Sequence, residues 1–501
     1  FAECAALGEV DRAVDYGRRA AARATVDLAY EEAAAHLERA LGAMDLDEQP
    51  DASVRCDLLL AQGEAYFYAN DPRYRPTLLG AADLARSLGD VDRLASAAIR
   101  LSYRVIGRRD MVVDIDREVG LLDEVLTLLP EGDSGTRARA MIAQAVNEAR
   151  PGGDQERRHA LAEEALAMAR RVGDPDVLRE VLAENWVNWF DTSRESWLDE
   201  AVAEQNELVG LATGRDDSLL CHALLIRSVG QLARGDRAAA DTDLAAADLL
   251  VERLREPAMT WWWMYEHAAV DLLRGRFAEA EPAILATAAY GQDHGLDGAV
   301  TMAAQFYRLR FDQGRLLEFE DAILGLVADQ PQVIVWRTAL AAIYTETDRP
   351  ELARPHVEFV GGDDFARVAT GQNWLVTVAA TGAVAGLTGQ LEIAEWGYER
   401  SLPFAGQLCW TGQTYERPVD LHLARMARAL DRYDEAEAHC AACTDLCERA
   451  GAPPFLAHTK DAWAEILIQR GGDRDRARQL ASEALATAEE LGMARLAETA
   501  T

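Results

Sequence analysis

Apolar side chains recur along this chain with the three- and four-residue spacing of an amphipathic α-helix, and the helical stretches come in pairs. A short phrase with Gly or Asp at its centre joins the two members of each pair, as in "RGDRAAA" and "TGQLEIA". In seven copies the central residue is Gly235, Gly275, Gly314, Asp348, Gly389, Asp431 or Gly472. The successive intervals are 40, 39, 34, 41, 42 and 41 residues, which predicts helix–turn–helix units repeating about every 40 residues.

The residue at the centre of each turn phrase is expected to end the first helix of its unit. Glycine adopts a left-handed backbone at low cost, so a helix ends readily there. Fainter copies of the phrase lie at Gly8 and Asn70, and Gly-Asp helix ends lie at Gly89 and Gly173. The repeat therefore extends towards the N-terminus in a more degenerate form.

Small side chains occupy fixed positions on both sides of the turn. Five residues after the central residue stands an alanine: Ala240, Ala280, Ala353, Ala394 and Ala436. Seven residues before it stands a small residue: Ser228, Ala268, Ala341, Gly382 and Ala424. Small residues on facing helices allow two backbones to approach closely, so these positions predict tight packing within each unit.

This pattern resembles the tetratricopeptide repeat (TPR), which pairs a small residue in its first helix with alanine in its second. The resemblance is good from Gly235 to Gly472, although the period is longer than the 34 residues of that repeat. We expect an all-α fold, a right-handed superhelical solenoid of about twelve antiparallel helix pairs. Residues 1–213 are expected to form degenerate TPR-like repeats, continuous with more regular repeats over 214–501.

Two segments near the ends carry a second resemblance. Residues 11–41, "DRAVDYGRRAAARATVDLAYEEAAAHLERAL", are similar to the segment after the nucleotide-binding module of actinobacterial signal-transduction ATPases, and residues 451–498 look like the end of their repeat arm. These proteins include large LuxR-type transcriptional regulators and cyclase-like or winged-helix relatives. The resemblance implies an ATPase before Phe1 and an output domain after Thr501. Both ends are accordingly expected to be cuts within a larger protein.

Composition narrows the classes of function. The net charge of −34 repels phosphate backbones, so direct nucleic-acid binding by this segment is not expected. The longest apolar run, from Leu375 to Leu387, is too short for a membrane span and reads as a buried helix. Seven cysteines at scattered spacing argue against a disulfide framework, which predicts a cytoplasmic location.

Catalytic motifs are missing from the sequence. The single lysine, Lys460, follows Thr459, so there is no phosphate-binding loop of the Walker type. There is also no His-Glu-x-x-His metal motif and no Gly-x-Ser-x-Gly nucleophile elbow. We therefore expect this chain to be non-catalytic and to need no cofactor.

One cysteine cluster offers a metal site as an alternative. Cys440, Cys443 and Cys447 in "HCAACTDLC" share one face of a predicted helix. The repeat register, however, puts Cys440 on a core position and Cys443 on a small-residue position. Cysteine behaves there as a small hydrophobic residue, and a structural zinc site needs a fourth ligand. The cluster is interpreted as core, not as a metal site.

Two aromatic groups are candidate binding residues. In "MTWWWMYEH" the register directs Trp261 to its partner helix, Trp263 to an adjacent repeat, and Trp262 with Tyr265 to the concave groove. In "ENWVNWFDTSRESW", Trp186 and Trp189 share a helix face. Packing without any ligand is the alternative for both groups, because aromatic residues at helical spacing are often core.

These observations favour a sensor or interaction arm that binds a partner protein or effector and regulates an adjacent ATPase or transcription-regulator module. The partner is a separate protein, or the ATPase or output domain of the same protein; a small effector is a further candidate. One alternative is an all-helical enzyme domain that binds a metal or ligand. Another is a passive oligomerisation scaffold.

Overall fold

Helix pairs build most of the described part of the chain. The computed structural model describes residues 10–102, 115–148, 153–185, 191–254, 256–296 and 298–500. Its α-helices are α1 Val10–Val26, α2 Tyr30–Met44, α3 Ala52–Tyr68, α4 Tyr74–Leu88, α5 Val91–Ser102, α6 Ile115–Leu128, α7 Gly135–Glu148, α8 Gln155–Val172, α9 Pro175–Glu184, α10 Trp197–Ala212, α11 Asp217–Ala233, α12 Arg237–Leu254, α13 Pro257–Leu273, α14 Phe277–Asp293, α15 Gly298–Asp312, α16 Glu320–Asp329, α17 Val335–Glu346, α18 Pro350–Gly361, α19 Trp374–Thr388, α20 Leu391–Ser401, α21 Val419–Ala429, α22 Tyr433–Ala450, α23 Pro453–Gln469, α24 Arg474–Leu491 and α25 Ala494–Thr499. Short 3₁₀ segments occupy Leu316–Phe319 and Leu402–Phe404.

Consecutive helices pack against each other along the described chain, except that α15 and α16 each pack on the 3₁₀ segment Leu316–Phe319 between them, and this confirms the expected all-α solenoid of successive helix pairs. The division at residues 213 and 214 stays a prediction. Among the described residues, none of the helices combines the length and the hydrophobicity that a bilayer crossing requires.

The repeat turns have the left-handed backbone that the sequence predicts. Their φ values are +81° at Gly235, +73° at Gly275, +72° at Gly314, +57° at Asp348, +76° at Gly389 and +58° at Asp431. In the last copy Gly471, with a φ of +70°, takes this role in place of the expected Gly472. The backbone amide that follows each turn residue donates a hydrogen bond back to the end of the helix. The amide of Asp236, for example, donates to the carbonyl of Gln231 at 2.8 Å.

The small residues flanking the turns lie where the helices of a pair meet. All five alanines after the turn are fully buried: Ala240, Ala280, Ala353, Ala394 and Ala436. Between α19 and α20 the backbones approach closely, since a Cβ built on Gly382 would lie 3.0 Å from Cα of Gly397. The close packing predicted from residue size is confirmed.

Later units of the solenoid stack on earlier ones. The turn at Gly235 meets Leu446 and Arg449 of α22, and Arg449 donates a 2.7 Å hydrogen bond to the carbonyl of Arg234. The turn at Gly275 likewise meets Leu491 of α24. Units roughly five repeats apart are therefore in contact, so the superhelix is closed along this edge.

A β-hairpin interrupts the helical pattern between α20 and α21. Its strands are β1, Leu408–Trp410, and β2, Tyr415–Pro418, which pair antiparallel with Trp410 opposite Tyr415. The two aromatic rings are each 1% exposed. The hairpin contacts α11, α13, α19 and α21, and therefore occupies the interior of the superhelix. The helical repeat did not predict it.

Candidate functional site

An open cavity occupies the concave side of the N-terminal half, and we call it the lumen. Its volume is about 1290 Å³. Helices α1, α3, α5, α7, α9, α11 and α13 contribute most of its wall, α2 and α12 contribute two residues each, and α4, α6, α8 and α10 contribute none. At the far side, the side-chain amide of Asn70 donates to the backbone carbonyl of His294, which joins the end of α3 to the end of α14. This arc of helices therefore nearly encircles the lumen.

Ion pairs connect neighbouring inner helices around the lumen. Arg93 and Arg100 of α5 pair with Asp57 and Glu64 of α3 at 2.8 and 3.1 Å. Arg139 of α7 pairs in the same way with Glu180 of α9 at 2.6 Å. Because these side chains are partly exposed, each pair adds little stability. Most of the acidic groups of the wall nevertheless have a nearby basic partner.

The three consecutive tryptophans point in different directions. Trp261 is 1% exposed and lies against Gly291 of α14. Trp263 donates from Nε1 to Asp248 of α12 at 2.7 Å. Trp262, 5% exposed, contributes to the wall of the lumen. Of the three indoles, only that of Trp262 therefore lines the lumen.

Tyr265 lies on the hairpin side of α13. Its backbone carbonyl accepts a 2.8 Å hydrogen bond from Nε2 of Gln305, which also donates to the carbonyl of Gln413 at 3.0 Å. The rings of Trp262 and Tyr265 remain stacked, with centroids 6.5 Å apart, but Tyr265 is 2% exposed and does not line the lumen as Trp262 does. Trp186 and Trp189, the other predicted groove residues, lie outside the described residues. A binding role for all four stays a prediction.

One end of the lumen gathers polar and aromatic groups around Trp262. His222 of α11 packs edge-on against the indole of Trp262, with ring centroids 5.1 Å apart. Burial lowers the pKa of His222 to about 4, so this imidazole is neutral at pH 7. Nearby, the hydroxyl of Ser218 donates to Oε2 of Glu256 at 2.8 Å, and burial raises the pKa of that carboxyl.

The corresponding space in the C-terminal half is filled by the hairpin. Arg308 of α15, 2% exposed, donates from Nε to Asp312 at 2.9 Å and approaches Glu416 of the hairpin at 3.5 Å. The guanidinium of Arg417 stacks over the ring of Phe311 at 3.7 Å. These buried charges fix the hairpin, because an unpaired charge there would be costly.

His458 and Asp312 complete this buried network. Nε2 of His458 lies 3.3 Å from Oδ1 of Asp312. Burial by itself would raise the pKa of Asp312, but Arg308 and His458 outweigh that effect and the pKa lies below its usual range. Burial lowers the pKa of His458 to about 4. Arg308 and His458 are therefore buried beside a shared partner, Asp312.

The three cysteines of α22 lie in the core. Cys440, Cys443 and Cys447 are at most 1% exposed, and the sulfurs of the last two are 4.0 Å apart. Cys443 also lies 3.0 Å from the hydroxyl of Thr459. Burial raises the pKa of Cys440, which disfavours its thiolate form. Within the described residues, no group of three His, Cys, Asp or Glu side chains has the arrangement of a metal site.

Comparison with known proteins adds little beyond the fold. No protein-family profile matches this sequence, and no curated protein matches it. Among solved structures, the crystal structure of the APC/C hetero-tetramer Cut9–Hcn1 is similar, with 12% sequence identity and a TM-score of 0.44. The match covers 95% of this chain and 79% of the other.

Proposed function

We propose that this chain is a non-catalytic, TPR-like sensor and interaction arm that binds a partner protein and regulates an adjacent ATPase or transcription-regulator module. The supporting observation is the contrast between its two halves. The lumen is open and lined by the inner helices, whereas the interior of the C-terminal half is filled by the chain's own hairpin. Among the described residues, the lumen with Trp262 in its wall is therefore the concave surface that the partner would enter.

Partner binding would regulate the neighbouring module by shifting its conformational equilibrium. The stacked turns hold the C-terminal half together, whereas weak surface ion pairs connect the helices around the lumen. Partner binding would therefore draw the helices around the lumen closer together. The arm needs no cofactor for this role. Its free, buried cysteines suit a reducing cytoplasm, and its charge of −34 disfavours direct contact with nucleic acid.

The proposal is tested by a substitution that blocks the lumen in the natural full-length protein. Ala61 is exposed in the lumen wall on α3, so Ala61→Trp adds a large ring to the lumen without disturbing the core. Ala245→Trp on the outer helix α12 is the matched control. We expect A61W to abolish the response of ATP hydrolysis to the partner, with A245W unchanged. An unchanged response in A61W, or after deletion of the whole arm, would refute the proposal.

A further inference from the structure

The end of the lumen around Trp262 has aromatic walls. Tyr30 of α2 and Tyr68 of α3 stack on each other with centroids 5.0 Å apart, and both line the lumen together with Trp262. The indole Nε1 of Trp262 is buried and has no hydrogen-bond partner among the described residues. Aromatic faces attract cations through their ring quadrupoles.

This end is also acidic. Glu256 has a hydrogen bond from Ser218 but no basic partner within the described ranges, unlike the paired carboxylates elsewhere in the wall. Burial, and then the carboxylates of Glu256, Asp216 and Glu64, raise the pKa of the Tyr30 hydroxyl. Of these carboxylates, Glu64 pairs with Arg100 at 3.1 Å and Asp216 lies 3.9 Å from Arg179, so Glu256 is the one left without a basic partner among the described residues. The neutral His222 does not offset its charge.

The mouth of the lumen is apolar and wide. Val26 is 77% exposed, Leu28 38% and Tyr68 36%, and all three line the lumen. The volume of 1290 Å³ exceeds the roughly 300–1,000 Å³ of typical small-ligand sites. Apolar exposure of this kind marks protein-contact surfaces. A polypeptide segment suits the space better than a small molecule.

We propose that the lumen binds a segment of a partner protein which inserts an arginine or lysine side chain between Trp262 and Tyr30, onto the carboxylate of Glu256. In the partner's segment, apolar residues on either side of the basic residue pack on Val26, Leu28 and Tyr68. This inference rests on the proposed function, since it specifies the chemistry of the partner. A charge-assisted hydrogen bond to Glu256 and the aromatic faces together supply the recognition.

Binding to the purified 501-residue chain tests the proposal directly. The probes are fluorescein-labelled nonapeptides with apolar residues around a central Arg, Lys, citrulline or Glu, measured by fluorescence anisotropy. We expect Arg or Lys peptides to bind at least tenfold more tightly than citrulline or Glu peptides. Equal binding of the four series would overturn the proposal. Tighter binding of Nα-acetylarginine amide than of any peptide would overturn the assignment to a polypeptide.

Matched variants separate this site from general attraction to an acidic protein. Glu256→Gln keeps an acceptor for Ser218 and removes one charge; Glu252→Gln removes the same charge from the exposed side of α12. We expect E256Q to weaken Arg-peptide binding about tenfold and E252Q to leave it unchanged. Equal effects of the two variants on peptide binding would overturn the assignment of Glu256 to the binding site.

The same variants in the natural full-length protein keep the two proposals apart. Loss of regulation in A61W together with normal regulation in E256Q would leave the proposed function intact. It would overturn the proposal that Glu256 binds a basic side chain of the partner. Tight, Glu256-dependent peptide binding without any effect of A61W on regulation would support the site and overturn the proposed function.

Discussion

The hydroxyl of Tyr415 in the hairpin donates a 2.7 Å hydrogen bond to Oε1 of Glu266 on α13. Glu266 is fully buried, and its second oxygen has no hydrogen-bond partner among the described residues. Burial raises the pKa of Glu266 to about 7, although the bond from Tyr415 acts in the opposite direction. This contact links the hairpin to the helix that carries Trp262, as does the bridge that Gln305 forms between the carbonyls of Tyr265 and Gln413.

The stability of the protein is expected to depend on pH through Glu266. Its folded-state pKa lies above the unfolded value of 4.5, so its favourable contribution is complete below pH 4.5 and is lost as the pH rises to about 7. Glu266→Gln removes this dependence. The unfolding free energy of E266Q relative to wild type should therefore rise by roughly 3 kcal/mol between pH 4.5 and 8. Urea unfolding across this range measures it, with E252Q as the flat control.

Removing the hydroxyl of Tyr415 should destabilise the hairpin. Tyr415→Phe leaves Oε1 of Glu266 buried without its donor, which typically costs about 1–3 kcal/mol. Tyr433→Phe is the control, because that hydroxyl bonds to Asp431 at the surface and its loss should change little. Urea unfolding of both variants at pH 7 gives the comparison. Equal stability of Y415F and wild type would contradict the contact.

Contact between stacked turns can be measured at two glycines. Gly89 and Gly275 both have left-handed φ, so Gly→Ala at either costs about 1 kcal/mol through the backbone. A Cβ at Gly275 would also lie 2.9 Å from Leu491, whereas a Cβ at Gly89 meets nothing within 4 Å. We expect G275A to cost about 1 kcal/mol more than G89A in thermal or urea unfolding. Indistinguishable losses would mean that the turns are not packed together.

Two helical glycines, one tightly packed and one in open space, provide a test with opposite signs. At Gly382 a Cβ would lie 2.5 Å from Sδ of Met426, so Gly382→Ala should destabilise the protein by about 1–3 kcal/mol through overpacking. At Gly210 in α10 nothing lies within 4 Å of such a Cβ. Gly210→Ala should therefore stabilise by up to about 1 kcal/mol, the ordinary preference of a helix for alanine. Stabilisation by G382A would disprove the close approach.

The neighbouring tryptophans should differ in stability. Trp261→Ala leaves a closed hole against Gly291 and should cost roughly 3–5 kcal/mol. Trp262→Ala opens into the lumen, which water can fill, so its cost should be smaller by about 1 kcal/mol or more. Equal losses in urea unfolding would assign both indoles to the closed core.

Much of the fold follows from local residue patterns. A residue that favours left-handed backbone, such as Gly235, ends a helix through forces acting within a few positions. An alanine such as Ala240 permits close packing because of its size alone. Helix pairs and their turns are therefore predictable from one sequence. The one shifted turn, from Gly472 to Gly471, arises because adjacent glycines are equally able to adopt the required φ.

The hairpin and most of the candidate site were not predictable in this way. The stretch "QLCWTGQTYERP" has a glycine turn between two short runs rich in β-favouring residues, a signal too weak to stand against a helical repeat. Its strands are stable because α11, α13, α19 and α21 surround them. Contacts between residues far apart in the sequence produce no periodic pattern of apolar positions.

The sequence by itself determined the helices, the turns and the roughly 40-residue repeat, because these depend on φ, side-chain size and helical spacing. Tertiary structure alone decided which concave surface is open. The curvature of the superhelix brings Tyr30 near Glu256, more than 200 residues later, and lets the hairpin fill the other half. The curvature results from small rotations that accumulate over many helix pairs, and a local sequence pattern does not specify the total rotation.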